Sequence, residues 1–371
     1  MRMVVTGQVG LDKKPFLQRA AQIARDRCGE LTVFHVGDMM YAEAPDVAPG
    51  RILDLPLSRL QSLRRSVFKD ILAARENCPH MVVNTHATFR WRHGLFYAFD
   101  YDQMKALDAD VYVTLVDNVD RVHARLQRDG HTDHTLKDLM VWREEEILAT
   151  ELLSQIVAGH GRSFVVARGR AGDSANAEAL ARFFDQPAPR KAYLSFPMTH
   201  VQNSPALLAE IEAFRREMKR HFLCFDPGDI EERELVHLAL DAADAARRFV
   251  EVGPPGDKTT IETNDLLGIV RDIDGQIYSR DFKLIDQSDM IVSLIPELSD
   301  GRAALSSGVE RELQHAHEAT RDVFVVWQPR AEPSPFVTET ATAVFASVAE
   351  AIRYFLDHHL ITPTTTGRLF A

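Results

Sequence analysis

The chain has 371 residues, 45% of them hydrophobic and 26% charged, and carries a formal net charge of −11. That length suits two domains of ordinary size, and that apolar content excludes a disordered chain. The acidic balance excludes a nonspecific nucleic-acid binder, which would show a basic footprint, but leaves room for local arginine clusters that hold small anions.

Cys28, Cys78 and Cys224 are odd in number, far apart and in no C-x-x-C pair. Neither a disulfide framework nor a zinc knuckle is expected, and a reducing cytoplasm fits. The N-terminus lacks a basic region followed by an apolar run, and no segment approaches ~20 continuous apolar residues, so the expectation is a cytoplasmic protein without a membrane partner.

In chain order, Met3 to Thr6 reads as a short strand leading into GQVGLDKKP, Gly7 to Pro15, and a helical pattern follows through Phe16, Leu17, Ala20 and Ile23. Strand, glycine loop and helix form the context of a phosphate-binding loop. Against G-x-x-x-x-G-K-[ST], Gly7 and Lys13 match. Asp12 stands in place of the second glycine, and Lys14 in place of the Ser/Thr that would ligate Mg²⁺. Asp12 brings negative charge beside any bound phosphate, which Lys14 partly offsets.

Next come a strand over Leu31 to Val36 with Gly37-Asp38-Met39, a strand over Met81 to Asn84 ending in Thr85-His86, and a strand over Val111 to Val116. Asp120 and a helix with Arg121, Arg125 and Arg128 follow. His86 reads equally as a hydrogen-bonded strand-end residue or a ligand contact, and the arginine series as a solvated face or a lid. Trp91 and Trp142 read as packing residues. His131, Asp133 and His134 lie in a polar turn with no further spaced cluster, so no metal site is expected.

From Met1 to about Gly169 this order resembles the archaeal-type adenylate kinase family, with its phosphate loop, Gly-Asp pair, Thr-His strand end and Arg-rich lid. The resemblance implies that Gly7, Gly10, Lys13 and Lys14 face phosphates, Asp38 and His86 the acceptor side, and that Arg125 and Arg128 lie in the lid. It admits ATP and Mg²⁺ in this domain. The departures at Asp12 and Lys14 point to a domain that binds a nucleotide and transfers phosphate poorly or not at all.

After a strand ending at Val165-Val166, residues 168–177 are rich in Gly, Ala and Asp, and a helix over Ala177 to Phe184 precedes Gln-Pro-Ala-Pro-Arg at 186–190. Two prolines in three positions mark a linker. The expected domains are 1–186 and 190–371.

The second domain opens with a strand over Lys191 to Phe196, a loop from Pro197 to Ser204 and a helix from Ala206 to His221. A strand over Phe222 to Phe225 and a helix over Leu235 to Phe249 follow, and Val252 to Thr263 reads as a surface insertion or lid. Ile277 to Ala316 is the most informative stretch: a helix carrying Asp281, a buried strand over Met290 to Leu294, a polar loop, and a helix from near Gly308 carrying Glu312. A strand over Val323 to Trp327 and a helix over Ser347 to His358 close the chain. Alternating strands and helices imply an α/β fold of two doubly wound parallel-sheet domains, the second small and Rossmann-like.

Two acids thus flank the carboxyl end of one strand, where open α/β sheets bind ligands. Ser306, Ser307 and Gly308, small residues at a helix start, suit an anion. Acid, strand, anion cradle, acid is an order suited to glycosyl transfer, where one carboxylate attacks an anomeric carbon and a second group handles the proton of the leaving base.

This stretch resembles the nucleoside 2-deoxyribosyltransferase family, with Gly308 four positions before the acidic nucleophile Glu312, Ala316 four after it, and Asp281 in a Tyr-x-x-Asp setting with Tyr278. Ser306, six residues before Glu312, is similar to the deoxynucleoside 5′-monophosphate N-glycosidase branch, where transferases usually carry Asp. The resemblance implies that Glu312 attacks C1′ and that Asp281 orients the sugar or protonates the base. It further implies that Ser306, Ser307 and Gly308 seat the 5′-phosphate, and that Tyr193, Ser195 and Phe196 lie beside the sugar. Tyr193 reads equally as core. The glycosidase step requires no cofactor, and self-association into a homo-oligomer is implied. Two alternatives stay open: a nucleotide-sensing regulatory or defence protein gated by the first domain, and an active nucleoside-monophosphate kinase with an appended hydrolase.

Overall fold

The computed structural model describes residues 1–91, 94–131, 133–169, 175–185, 188–198, 201–253 and 258–362. Two units result, one of Met1–Asp185 with Asp229–Ile277 and one of Gln186–Gly228 with Tyr278–Ala371. The expected second domain, 190–371, therefore loses residues 229–277 to the first unit. The linker expectation at Gln186-Pro187 lies outside the described residues.

The first unit begins with β1 (Arg2–Thr6), α1 (Lys13–Cys28), β2 (Thr32–His35), α2 (Val36–Glu43), α3 (Leu57–Arg75) and β3 (Met81–Asn84). It continues with β4 (Thr88–Trp91), β5 (Gly94–Tyr97), α4 (Tyr101–Leu107), β6 (Val111–Val116), α5 (Val119–Arg128), α6 (Leu136–Val157), β7 (Ser163–Ala167) and α7 (Ala175–Asp185). Its main sheet has the order β2-β3-β1-β6-β7, and every pairing in it is parallel. The β6 sequence VYVTLV is buried at all six positions, as expected of a strand covered on both faces, which reads as a continuous apolar run. Val4, Val83 and Tyr112 pack with Val67, Phe68 and Ile71 of α3 and Leu107 of α4.

Three features differ from expectation. The strand expected over Leu31 to Val36 stops at His35, and Gly37-Asp38 fall in the first turn of α2. The strands β4 and β5, residues 88–91 and 94–97, pair antiparallel in a small sheet of their own. The 22-residue α6 is started by a capping box, in which Thr135 Oγ1 accepts from the Asp138 N–H and the Asp138 carboxylate accepts from the Thr135 N–H. Trp142 on α6 is fully buried; the expectation for Trp91 concerns a side chain outside the described set.

The chain then runs through β8 (Lys191–Ser195), α8 (Pro205–His221) and β9 (Leu223–Phe225) of the second unit. It returns to the first unit with α9 (Arg233–Asp244), β10 (Phe249–Val252), β11 (Thr259–Glu262) and α10 (Thr263–Leu267). The helix expected to reach Phe249 ends early because Ala246 adopts a left-handed φ of 50° and the Arg247 N–H bonds back to the Ala242 carbonyl. Beyond it FVEV alternates exposed and buried, the period of a strand, and pairs antiparallel with TTIE. The expected insertion is thus a hairpin, with 254–257 outside the described residues.

Helix α11 (Val270–Asp286) leads into β12 (Met290–Ile295), α12 (Ser307–Glu318), β13 (Asp322–Trp327), α13 (Pro335–Thr338), β14 (Ala343–Phe345) and α14 (Val348–Asp357). The second sheet has the order β14-β13-β12-β8-β9, again parallel throughout. Ala192, Leu194, Met290, Val292, Leu294, Phe324 and Val326 share one core with Phe214 and Met218 of α8 and Phe355 of α14. Because side chains alternate along a strand, Tyr193, Ser195 and Ser293 face the opposite side of this sheet. The molecule is therefore an α/β protein with two parallel sheets. Among the described residues no helix is long and apolar enough to cross a membrane, and no group of three or more His, Cys, Asp or Glu could hold a metal ion.

Candidate functional site

In the first unit the loop after β1 joins the carboxyl end of the central strand to α1. Gly7 has φ 136°, and a Cβ there would lie 2.7 Å from the Leu115 carbonyl oxygen and 2.6 Å from Leu11 Cδ1; the position demands glycine. The Gly7 N–H donates to Glu146 Oε1 (2.9 Å). The same buried carboxylate accepts from Ala87 N (2.8 Å), Thr88 N (2.7 Å) and Thr88 Oγ1 (2.6 Å). One acid on α6 thus ties the glycine loop to the start of β4, with both carboxylate oxygens hydrogen-bonded as a buried polar group requires.

Lys13 turns inward. Its Nζ donates to Gly7 O (2.5 Å) and Thr85 O (2.8 Å) and lies 3.2 Å from His86 Nδ1. Burial pulls its pKa down to about 7, against the opposing pull of Glu146. Lys14 pairs with Asp38 (2.5 Å) at the surface. Asp12, at the N-cap of α1, has φ 47° and makes no cap bond. Its carboxylate lies 3.4 Å from Arg128 Nη2 and 3.9 Å from Arg125 Nε. Arg125 also donates to Asp117 and to Gly10 O (3.1 Å), and Arg128 to Asp129 (2.8 Å).

Beside this loop is a cavity of about 240 Å³, lined by Lys13, Lys14, His35, Asp38, Arg64, Asn84 and His86 together with apolar Val36, Met40, Leu60 and Phe89. Arg64 is 5% exposed, lies with its guanidinium carbon 5.1 Å from the Phe89 ring centre, and has no hydrogen-bond partner for Nη2. Burial lowers its pKa to about 10. His86 is held well below 6.5, first by burial and then by the positive charges of Lys13 and Arg64. A largely desolvated guanidinium with one unpartnered nitrogen in a pocket wall is a strong anion receptor.

No family model matches the chain. Over 160 residues it is 25% identical to an adenylate kinase of Pyrococcus horikoshii and 24% identical to that of Pyrococcus furiosus, in each case covering 42% of this chain and 77% of the relative. The N-terminal region is adenylate-kinase-like. Distant solved structures include a shikimate kinase from Bacteroides thetaiotaomicron (12% identity, 50% of this chain and 97% of the other, TM-score 0.35). A gluconokinase from Sinorhizobium meliloti 1021 is another (16%, 50% and 94%, TM-score 0.30).

Of the residues expected in this domain, Lys13, Lys14, Asp38 and His86 line one cavity, with Gly7 holding the turn above Lys13. Gly10, Arg125 and Arg128 form a separate contact between the loop and α5. Arg64 and Glu146 were not foreseen. A signal for Arg64 existed: it falls on the same helical face as Leu60, Val67, Phe68 and Ile71, where only a partnered or functional charge belongs.

In the second unit, Glu312 sits in α12, whose N-cap Ser306 accepts from Val309 N through its Oγ (3.2 Å). From the polar face of the sheet, Tyr193 OH donates to Glu312 Oε1 (2.9 Å) and Ser195 Oγ donates to Oε2 (2.6 Å). Burial lifts the Glu312 pKa to about 8; the Ser195 and Tyr193 hydrogen bonds oppose the rise and the Asp281 carboxylate adds to it. Asp281 is raised to about 6 by burial, with Arg280 opposing, and its Oδ1 has no hydrogen-bond partner. The Tyr193 phenol is pushed well above 10 by burial and then by Glu312 and Asp281. Four of the expected residues, Tyr193, Ser195, Asp281 and Glu312, thus stand in one another's field.

Others stand elsewhere. Phe196 is a correction: it is 8% exposed on the opposite, apolar face of the sheet, packed in the core with Arg215 against its ring. Strand parity decides this, since Phe196 is odd-numbered steps from both Tyr193 and Ser195. Tyr278 is 57% exposed and meets Phe282 edge-on at 4.7 Å between ring centres. Ser307 and Gly308 are exposed in the first turn of α12. Ser293, opposite Ser195 in the β12–β8 register, was not foreseen; its buried Oγ has no hydrogen-bond partner.

Proposed function

We propose that the second unit is a nucleoside 5′-monophosphate N-glycosidase or 2-deoxyribosyltransferase and that the first unit binds a nucleotide. The observation that carries the first half is the Glu312 carboxylate gripped by Tyr193 and Ser195 within the field of Asp281. In this reading a Glu312 oxygen attacks C1′ while the C1′–N bond breaks, and the departing base takes its proton from Asp281. Water or an incoming base then attacks C1′ of the ester, giving its proton back to Asp281 and freeing Glu312. Tyr193 and Ser195 stabilise the carboxylate before attack and after release. The Ser306 hydroxyl, whose lone pair caps α12, keeps its proton to donate to the 5′-phosphate.

The Asp281 and Glu312 carboxyl groups act on each other electrostatically. With Asp281 near 6 and Glu312 near 8, the proton held around neutral pH rests mainly on Glu312, so attack requires that it pass to Asp281 before the C1′–N bond breaks. Chromatography of a mixed pool of deoxynucleotides, ribonucleotides and nucleosides after incubation tests the reading. Free base should appear from a monophosphate, and Glu312→Gln should abolish it; release at the unaltered rate in that variant would refute the assignment.

For the first unit the supporting observation is the Arg64 cavity, and the likeness to adenylate kinases supports a nucleotide as its ligand. That likeness also favours a second reading, a nucleotide kinase using ATP and Mg²⁺, which ADP formation from ATP and a monophosphate would support. The loop residues do not fit such a donor. Lys14 stands where a hydroxyl would ligate Mg²⁺ and is paired with Asp38, and Lys13 is spent on two backbone carbonyls.

A further inference from the structure

We infer that Asp12 is a built-in occupant of the anion position of the loop: its carboxylate engages the arginines that a donor triphosphate would use, so the first unit accepts one nucleotide, in the Arg64 cavity, and no second. This rests on the reading that the unit binds a nucleotide.

The position is the first ground. Asp12 directly precedes the 16-residue α1, where unpaired N–H groups and the helix dipole favour an anion. The Asp12 carboxylate makes no hydrogen bond to those N–H groups; it brings its negative charge to the position while turned toward Arg128 and Arg125 of α5. Its backbone is the second ground. With φ 47°, Asp12 holds a conformation that most side chains avoid and Asp tolerates, at a site where the phosphate-loop pattern has glycine. The chain keeps the loop shape while replacing the residue that would leave room for phosphate.

The arginines are the third ground. Arg128 and Arg125 approach the Asp12 carboxylate, and buried Asp117 collects Arg125 together with Arg121 (3.7 Å) and Arg168 (3.7 Å). These arginines are thereby already paired with acids of the same unit. A triphosphate would have to displace Asp12 from them and then sit beside it, a like-charge contact that costs affinity at close range. In the adjoining cavity Arg64 Nη2 still lacks a partner, so a single anionic ligand is received there.

Calorimetric titration of the full chain separates the possibilities, with ATP, with and without Mg²⁺, and with nucleoside monophosphates as titrants. The wild-type chain should bind a monophosphate and show no ATP binding up to millimolar concentration. Asp12→Asn, which keeps the shape and the left-handed backbone, and Asp12→Gly, which removes the strain as well, should each gain at least tenfold in ATP affinity. Wild-type binding of ATP as tight as in either variant would overturn the inference while leaving the nucleotide-binding reading intact. Failure of every nucleotide to bind any form would overturn both.

Discussion

Replacing Glu312 with Gln removes a charge while keeping the shape and both hydrogen bonds: Tyr193 OH can still donate to the amide oxygen, and Ser195 Oγ can accept from the amide nitrogen. The wild-type carboxyl is raised from 4.5 to about 8 on folding. A folded-state pKa above the unfolded one means that the stability associated with the protonated acid is fully present below pH 4.5 and is lost as pH rises through about 8. At about 1.36 kcal/mol per pKa unit the ceiling is about 5 kcal/mol, and solvent relaxation around a partly accessible group reduces it to roughly half. Urea unfolding of both chains at pH 5, 7 and 9 reads this directly. They should match within about 1 kcal/mol at pH 5, and the Gln chain should be the more stable by about 2 kcal/mol or more at pH 9. Base release by the Gln chain should fall by at least about 1,000-fold, because an amide cannot form the glycosyl ester. A stability difference independent of pH would refute the buried-acid reasoning, and retained base release would refute the nucleophile.

Plotted against pH, kcat/KM for base release should be bell-shaped with limbs near 6 and 8, where the Asp281–Glu312 pair gains its second proton and loses its last. A profile flat from pH 5 to 9 would count against the pair. Ser306→Asp should keep the α12 cap yet repel a 5′-phosphate, so the ratio of nucleoside to nucleotide turnover should rise by about tenfold or more in competition assays. Gly7→Ala should destabilise the first unit by about 2–4 kcal/mol in thermal unfolding, since the added Cβ meets the Leu115 carbonyl at 2.7 Å on a backbone of φ 136°. An unchanged Tm would show that the loop can relax.

Much of the scaffold was legible in the amino-acid sequence. The strands at Met81–Asn84 and Val111–Val116 carry the bounds expected of them, because parallel strands buried on both faces read as unbroken apolar runs. The glycine loop with Asp12 and Lys14 in place of the usual residues was visible as a pattern, and so were the two acids on the helices before and after one strand. The hairpin of β10 and β11 was not: Leu235 to Phe249 has helical composition, and the break lies in the left-handed Ala246, which no propensity marks. The return of residues 229–277 to the first unit was likewise invisible, since boundaries follow contacts rather than composition.

The sequence by itself determined the inventory: which elements form, which faces of them are apolar, and that acids, small hydroxyls and an altered phosphate loop are present. Only the tertiary structure decided which of these groups meet. Tyr193 and Ser195 lie 119 and 117 residues from Glu312, and Arg64 reaches its cavity beside His86 through the packing of α3. Protonation and anion affinity depend on burial and on neighbours distant along the chain, and those exist only once the sheets have formed.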